Sequence, residues 1–585
     1  MEILLVTTCK IIIFFISNFG MWEYFRRISK MNVYFLPAFT ISLQVTVLFC
    51  AGILNCLKIA ALILYSIGIF LSVYYVFNGL KKTIHEYLNV GYLFLAVGFC
   101  LVLLACYGHK FTYDDNFSHW AVVSKSLFLT DRFPTFKDSL IIFQEYPLGC
   151  TSYIYYFTRF ISYSEFFEMA AQSFMMLSFV LPFFVCIKKN KVISFIYVIV
   201  LVNYIFCYNI PITDLPVDTV LPLGGMAMLF FVFSESLGLY GENKEKISIL
   251  YAIPFLCTVI QIKNSGIYFV ALACIMIAVS FKNDKKKYKQ KLAAVASPFV
   301  SLYLWQMHCD YVFVDGSVTK HAMTVENYKN IFSQKTGDNI KTLLESVLKF
   351  SISGKELKYI LLCLGMAGVL AFFVLDKQNR KKYIYIILGS ASIYITYMLG
   401  MAGMYLISMP AGEAENLSGA VRYRNTIFIA IYYILSLFLL TMISSIEHTK
   451  KKRIYLAGTY MMLLIVWGAG IGSYSFPTIF RNELVSDRRD WVEKAVHDNN
   501  IPSGSSYIIC VPEEKDISFM WHFCKYFLWS ANVSSRVITE ESQFDDVGNY
   551  EYILVYDEDN KIVQDWISTN YPEQAGKMVI SPMKQ

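Results

Sequence analysis

Runs of predominantly apolar residues recur along most of this chain, and a helix needs about 20 such residues to cross a bilayer. They predict about fourteen spanning segments, near 2–19, 33–54, 57–79, 89–107, 165–187, 192–209, 215–237, 247–262, 265–281, 291–308, 357–375, 383–407, 424–443 and 454–472. Cys9 and Lys10 interrupt the first segment and no A-x-A cleavage pattern follows, so it reads as a retained helix rather than a signal peptide. Composition agrees: 56% of the residues are hydrophobic and 16% charged, against about 25% charged in an ordinary soluble domain. That balance excludes a soluble cytosolic enzyme, a disordered chain and a disulfide-rich secreted module. A net charge of +7 spread over 585 residues gives no reason to expect a nucleic-acid partner.

Lysine and arginine sort the connecting loops into two sets. One set holds Arg26, Arg27 and Lys30, then Lys81 and Lys82, Lys188, Lys189 and Lys191, and Lys244 and Lys246. It continues through the lysine cluster at 282–291, then Lys377, Arg380, Lys381 and Lys382, and finally Lys450 to Arg453. The short loops of the opposite set hold only Lys58, Lys263, Arg422 and Arg424. The first set is therefore cytoplasmic. Both termini are predicted to be extracytoplasmic, together with two long loops at 108–164 and 309–356.

The chain divides into extra N-terminal spans (1–88), a module at 89–356 containing both long loops, C-terminal spans (357–472) and a tail (473–585). In the tail, apolar and polar residues alternate as in a small soluble domain. Ser506–Val511 and Glu551–Tyr556 predict buried strands, Arg536–Ile538 a shorter one, and Ile517–Trp529 a helix between them. The overall expectation is an α-helical polytopic membrane protein with a small extracytoplasmic α/β domain. The fourteen cysteines show no paired-cysteine or metal-site spacing.

The densest polar signal opens the first long loop, at Tyr113-Asp114-Asp115-Asn116-Phe117-Ser118-His119-Trp120. Lys125 and the Tyr146-Pro147-Leu148-Gly149 stretch follow. Phe117, Trp120, Val123 and Leu127 recur at helical spacing, which predicts an amphipathic helix lying in the membrane interface. Asp115 and His119, four apart, share one face of it. An N-cap is the plain reading of the aspartates, but their company of His, Trp and Lys at a span end favours a site.

An acidic pair in the first outer loop, a membrane-surface helix and a later Tyr-Pro-x-Gly together resemble the C-type (GT-C) glycosyltransferases. That superfamily includes protein O-mannosyltransferases, the aminoarabinose transferase and the catalytic subunit of oligosaccharyltransferase. The resemblance covers 89–356, with the span at 89–107 counted as the family's first; the three preceding spans depart from the common pattern. It implies transfer of a sugar from a polyprenyl-phosphate donor to a glycan, lipid or protein acceptor at the outer membrane face. In that chemistry Asp114 or Asp115 corresponds to the general base that activates the acceptor hydroxyl. Positive charge stabilises the departing lipid phosphate.

Other residues join the candidate binding set: His119, Trp120, Lys125, Tyr146, Asp214, Asp218, Lys263, Arg422 and Arg424. Asp214 and Asp218 stand at a span entrance, where the family often has a second acidic site. Arg422 and Arg424 break the positive-inside bias, which suits a phosphate or carboxylate partner or an internal salt bridge to Glu413 or Glu415, and Lys263, in a loop with few other polar residues, fits phosphate binding and snorkelling equally. Lys263 and Arg422 are expected to approach the span ends that bear Asp115 and Asp218. No cofactor is implied with certainty; a divalent cation (Mg or Mn) would take Asp115, His119 and Asp218, a weak ligand pattern. The rival expectation is a lipid-linked oligosaccharide flippase or another polytopic transporter of cell-surface polysaccharide assembly. A transporter places ionisable residues near the bilayer midplane and often carries internal repeats. Here the spans are almost free of charge apart from Lys10, and no repeat is detectable.

Overall fold

The computed structural model describes residues 2–78, 80–239, 247–280, 287–313, 325–374, 377–445, several positions between 454 and 465, and 487–582. It is mostly helical. The N-terminal helices are α1 (Glu2–Ser29), α2 (Leu36–Ile53), α3 (Leu57–Phe77), α4 (Leu80–Tyr87) and α5 (Val90–Cys106). Next come α6 (Ala121–Thr130), α7 (Gly149–Phe160), α8 (Glu165–Val180), α9 (Lys191–Tyr208) and α10 (Val220–Phe231). They are followed by α11 (Ile253–Ile262), α12 (Ile267–Val279), α13 (Tyr288–Val312), α14 (Val325–Ser333) and α15 (Gly337–Ile352). The series closes with α16 (Lys355–Val374), α17 (Lys377–Ile407), α18 (Ala411–Glu415) and α19 (Ala420–Ser445).

Among the described residues, eight helices are long and apolar enough to cross a membrane: α1, α2, α3, α8, α9, α16, α17 and α19. The sequence predicts about fourteen spans, and the difference has identifiable sources. Four further apolar helices, Val90–Cys106, Val220–Ser236, Ile249–Ile262 and Asn264–Val279, are shorter than a full span. The segment expected at 291–308 is helical as α13, but Lys289, Lys291, Gln306 and Asp310 dilute its hydropathy. The segment expected at 454–472 lies largely outside the described residues.

The N-terminal helices pack through small residues. A Cβ on Gly20 would lie 2.1 Å from the Gly68 carbonyl oxygen, and one on Gly68 would lie 2.3 Å from Ser17 Oγ. Close backbone approach of this kind is how apolar helices associate where lipid removes the hydrophobic driving force. Ser17 Oγ donates to Tyr65 O at 2.9 Å across the same contact. Caps set the helix starts further on: Asn89 accepts from Gly91 N and Tyr92 N to begin α5, and Ser164 accepts from Phe167 N to begin α8.

The C-terminal region forms a four-stranded sheet with α20 (Asp487–Asp498), α21 (Glu514–Leu528) and α22 (Lys561–Asn570). Its strands are β1 (Tyr507–Cys510), β2 (Val533–Arg536), β3 (Tyr552–Val555) and β4 (Val579–Ile580), in the order β2-β1-β3-β4. β1 runs parallel to β2 and β3, with Tyr507 opposite Val533 and Tyr552; β4 is antiparallel to β3. β1, β3 and α21 lie where the sequence predicts them. β2 starts three residues earlier than the expected 536–538, because Val533 is the residue buried against β1 and the polar Ser534-Ser535-Arg536 that follows masks the strand.

This domain packs against the first long loop. Arg489 Nη1 donates to Phe111 O at 2.7 Å and Arg489 Nη2 pairs with Glu165 Oε1 at 2.9 Å. Tyr526 Oη donates to the same Glu165 oxygen at 3.1 Å. The predicted interfacial helix is correspondingly different from expectation. It opens with a π-helical turn at Asn116–Trp120 before α6, and Phe117, Trp120, Val123 and Leu127 are all buried in protein. Their apolar stripe is covered by the C-terminal domain and neighbouring helices rather than left for the membrane interface.

Candidate functional site

Asp214 anchors the loop that carries the acidic pair. Its Oδ1 accepts from Thr112 N at 3.3 Å, Tyr113 N at 3.2 Å and Asn116 Nδ2 at 2.6 Å. Asn116 answers with its own oxygen, which accepts from Leu215 N at 2.9 Å. Both side chains are buried. Burial raises the Asp214 carboxyl to about 7 against the pull of its three donors. The side-chain hydrogen bonds of Asp214 hold the 112–116 segment to the 211–219 loop, and its carbonyl accepts from Gln172 Nε2 of α8 at 3.2 Å. Asn116, absent from the candidate set although it stands in the polar stretch 113–120, is the other half of this clasp.

The clasp leaves the two aspartates in different surroundings. Asp114 turns inward, with Oδ1 buried and without a hydrogen-bond partner, and burial followed by the neighbouring Asp115 charge raises its carboxyl. Asp115 faces a cavity of about 660 Å³. Its Oδ2 receives Arg422 Nη1 at 2.5 Å. Asp115 is thus the member of the pair that a bound molecule meets.

Asp218 gathers the cations. Lys263 Nζ donates to Asp218 Oδ1 at 2.8 Å, and Arg422 Nη1 lies 3.9 Å from Asp218 Oδ2. Burial alone would raise this carboxyl, but Lys263 and then Arg422 more than offset it and hold it below the usual carboxylate range. The extended backbone at Lys263, which breaks α11 from the turn leading into α12, lets its side chain reach this point. The Tyr423 ring supports the ammonium at 4.9 Å and Tyr113 the Arg422 guanidinium at 5.7 Å. The expected approach of Lys263 and Arg422 to Asp218 and Asp115 is met by direct contact.

Above this charged head the cavity is walled by Trp120, Phe143 and Tyr146. Phe143 and Tyr146 stack with centroids 5.2 Å apart, and His119 lies 4.8 Å from Tyr146. The Tyr-Pro-x-Gly stretch has a steric reason. A Cβ on Gly149 would fall 2.5 Å from the Gln261 carbonyl oxygen, so glycine lets this loop close on the end of α11 beside Lys263. Trp305 Nε1 fixes the same loop by donating to Glu145 O at 3.0 Å. Away from the charges, Ile267, Tyr268 and Ala271 of α12 face Tyr397, Gly400 and Met401 of α17, giving the cavity an apolar arm between two helices. Lys335 secures that wall. Its Nζ donates to the carbonyls of Tyr405, Leu406 and Met409 at 2.6–2.8 Å, capping the C-terminal end of α17.

Two expected site residues, Arg424 and Lys125, make their contacts away from the cavity. Arg424 donates to Phe350 O, Ser353 O and Glu356 Oε2, tying α19 to the end of α15 rather than reaching the cavity. Lys125 donates to Tyr526 O at 2.8 Å and sits over the Tyr526 and Trp529 rings, so it docks the C-terminal domain. His119 lines the cavity, but both ring nitrogens are buried without partners and burial lowers its imidazole to about 3. The divalent-cation set does not fit either. The Arg422 guanidinium stands between Asp115 and Asp218, and among the described residues no three His, Cys, Asp or Glu side chains converge as a metal site.

In chemical terms the site joins the cavity-lining carboxylates of Asp115 and Glu413, two cations held by a buried aspartate, an aromatic wall and an apolar arm. No protein-family model and no curated protein matches the chain.

Proposed function

We propose that the chain is an integral membrane glycosyltransferase that moves a sugar from a polyprenyl-phosphate donor to an acceptor hydroxyl at the extracytoplasmic face. The observation that carries this reading is one cavity in which Asp115 and the Lys263–Arg422 pair meet the apolar arm between α12 and α17. Such a shape suits an amphiphile with an anionic head and a hydrocarbon tail. The topology belongs to the same proposal: about fourteen spans, a cytoplasmic set of lysine-rich loops, and both termini and the C-terminal domain outside. Contacts among the loops support it, since Asp115, Asp218, Lys263 and Arg422 come from four connections assigned to one side.

In this mechanism the acceptor oxygen attacks the anomeric carbon as the carbon–phosphate oxygen bond breaks, inverting the configuration. Asp115 takes the hydroxyl proton as general base. The electron pair leaves on the lipid phosphate, where Lys263 and Arg422 meet the developing charge. Asp218 keeps both cations in place, and Asp214 with Asn116 fixes the loop that aims Asp115. Trp120 and Tyr146 offer ring faces for a sugar. The flippase alternative lacks a comparable feature, because these charges cluster at one end of the cavity rather than along a path. The test is transfer of label from a polyprenyl-phosphate sugar pool by the purified protein in lipid. Label in an acceptor supports the reading; lipid translocation without transfer replaces it with the transporter.

A further inference from the structure

Residues 109–113, which lead into the acidic pair, have no regular secondary structure, so their backbone groups need partners from elsewhere. Side chains from three elements supply them. Phe111 N donates to Glu165 Oε2 at 2.8 Å, and Phe111 O accepts from Arg489 Nη1 at 2.7 Å. Thr112 N and Tyr113 N donate to Asp214. Glu165 opens α8 and Asp214 stands in the 211–219 loop, whereas Arg489 belongs to α20 of the C-terminal domain.

Arg489 also reaches the far side of the pair. Its guanidinium carbon lies 5.9 Å from the Phe117 ring centroid and 5.3 Å from that of Phe523. Phe519, Phe523 and Tyr526 of α21 close around Phe117, with centroids 5.6, 5.0 and 5.4 Å away. Phe111 precedes Asp115 and Phe117 follows it, so one buried side chain meets both ends of the segment that carries the carboxylate. The guanidinium is itself fixed in direction. Nη2 pairs with Glu165 Oε1 at 2.9 Å and Nε with Glu493 Oε1 at 2.8 Å, while Lys110 pairs with the other oxygen of Glu493. A rigid planar fork serves these three directions at once; a lysine ammonium on its flexible stem does not.

We propose that Arg489 is a positioning residue through which the C-terminal domain brackets residues 111–117 and sets where Asp115 stands against Arg422. The Asp115 side chain is 36% exposed and reaches Arg422 from a loop, so its aim depends on the backbone beneath it. Asp214 and Asn116 hold the middle of that backbone, and Arg489 holds its two ends. The inference rests on the transferase reading and gives the C-terminal domain a part in turnover without any contact to substrate.

Two measurements on the full chain in lipid test it. Amide hydrogen–deuterium exchange, read by mass spectrometry on the peptide covering 108–117, needs no substrate. In Arg489→Lys the 111–113 amides should exchange roughly tenfold faster or more, the worth of a hydrogen bond to a charged group, while the β1 peptide keeps its wild-type rate. Unchanged exchange at 111–113, or equal acceleration in β1 because the domain has come apart, overturns the bracket. Transfer is then followed with a labelled polyprenyl-phosphate sugar pool. Arg489→Lys should lower kcat by roughly 10- to 100-fold, the scale of a misplacement of about 1 Å, and the donor KM should hold because Lys263 and Arg422 are untouched. In Arg489→Ala, millimolar guanidinium should restore part of the rate; Arg489→Lys decides alone if the alanine protein does not fold. Wild-type kcat in Arg489→Lys, or a loss in folded Arg489→Ala that guanidinium leaves untouched, overturns the positioning role while leaving the transferase reading intact. A wild-type protein that transfers no label overturns the transferase reading and this role with it.

Discussion

Replacing Asp218 with Asn removes the one charge that holds both cations of the site. The Asp218 side chain is 2% exposed, with Lys263 at 2.8 Å and Arg422 at 3.9 Å. At an effective dielectric constant of about 20, Coulomb attraction at these separations is roughly 6 and 4 kcal/mol, and desolvation offsets much of it. The useful magnitude is the cost of leaving a buried charge unpaired, about 3–5 kcal/mol. Arg422 keeps Asp115, so the loss falls chiefly on Lys263, whose side chain is only 18% exposed. Asp218→Asn should therefore lower the unfolding temperature of the detergent-solubilised protein, followed by tryptophan fluorescence. Adding Lys263→Met removes the orphaned ammonium and should recover more than half of that loss. An Asp218→Asn protein that unfolds with wild type, or a double variant whose losses simply add, would refute the coupling.

Three further outcomes follow from the same geometry. A Cβ at Gly400 meets nothing within 4 Å and the residue lines the apolar arm, so Gly400→Leu should fold normally yet displace two or three lipid carbons. At about 0.8 kcal/mol each this predicts roughly 15- to 60-fold weaker binding of a long-chain donor, measured as KM, with a short-chain donor little affected. Asp214, whose folded carboxyl is raised from 3.8 to about 7, contributes stability that is complete below its unfolded value and is lost as pH rises through about 7. The stability of wild type relative to Asp214→Asn should fall between pH 4 and 8 by at most roughly 4 kcal/mol, read from unfolding curves across that range. Cysteines introduced at Lys285, Ile340 and Asp545 should react with an impermeant maleimide from the cytoplasm for the first and from outside for the other two. Positions 285 and 340 labelling from one side would break the assigned topology.

Much of the architecture was legible because it rests on local signals. Apolar runs mark helices wherever they are long, and the short continuous apolar runs Tyr507–Cys510 and Tyr552–Val555 mark the two central strands. The helix at 514–528 follows from its spacing. The helices beside the site, α11 and α12, carry the hydropathy of spans but are shorter than a full crossing, and hydropathy alone does not register the break between them at Lys263. Among site residues, Asp115 stood out within the densest polar stretch of the chain, and Asp218, Lys263 and Arg422 because charge is rare in their loops. Arg424 and Lys125 carried the same signal, and only tertiary contacts show that helix ends and the C-terminal domain use them. The roles of Asn116 and Lys335 were missed for the converse reason. Each acts through partners 70 or more residues away, and no local pattern encodes such a meeting.

The most direct measurement compares wild type with Asp115→Asn in lipid, supplied with the same labelled polyprenyl-phosphate sugar pool and acceptor membranes. Asn keeps the size and a hydrogen-bonding oxygen for Arg422 but accepts no proton. Turnover should fall by roughly 10²–10⁴-fold, the worth of a positioned general base, with expression and unfolding temperature close to wild type because Asp115 lies at a partly exposed loop. Asp114→Asn, whose side chain turns away from the cavity, should lose far less. An Asp115→Asn protein that transfers sugar at near the wild-type rate would contradict the assignment of this carboxylate as the base.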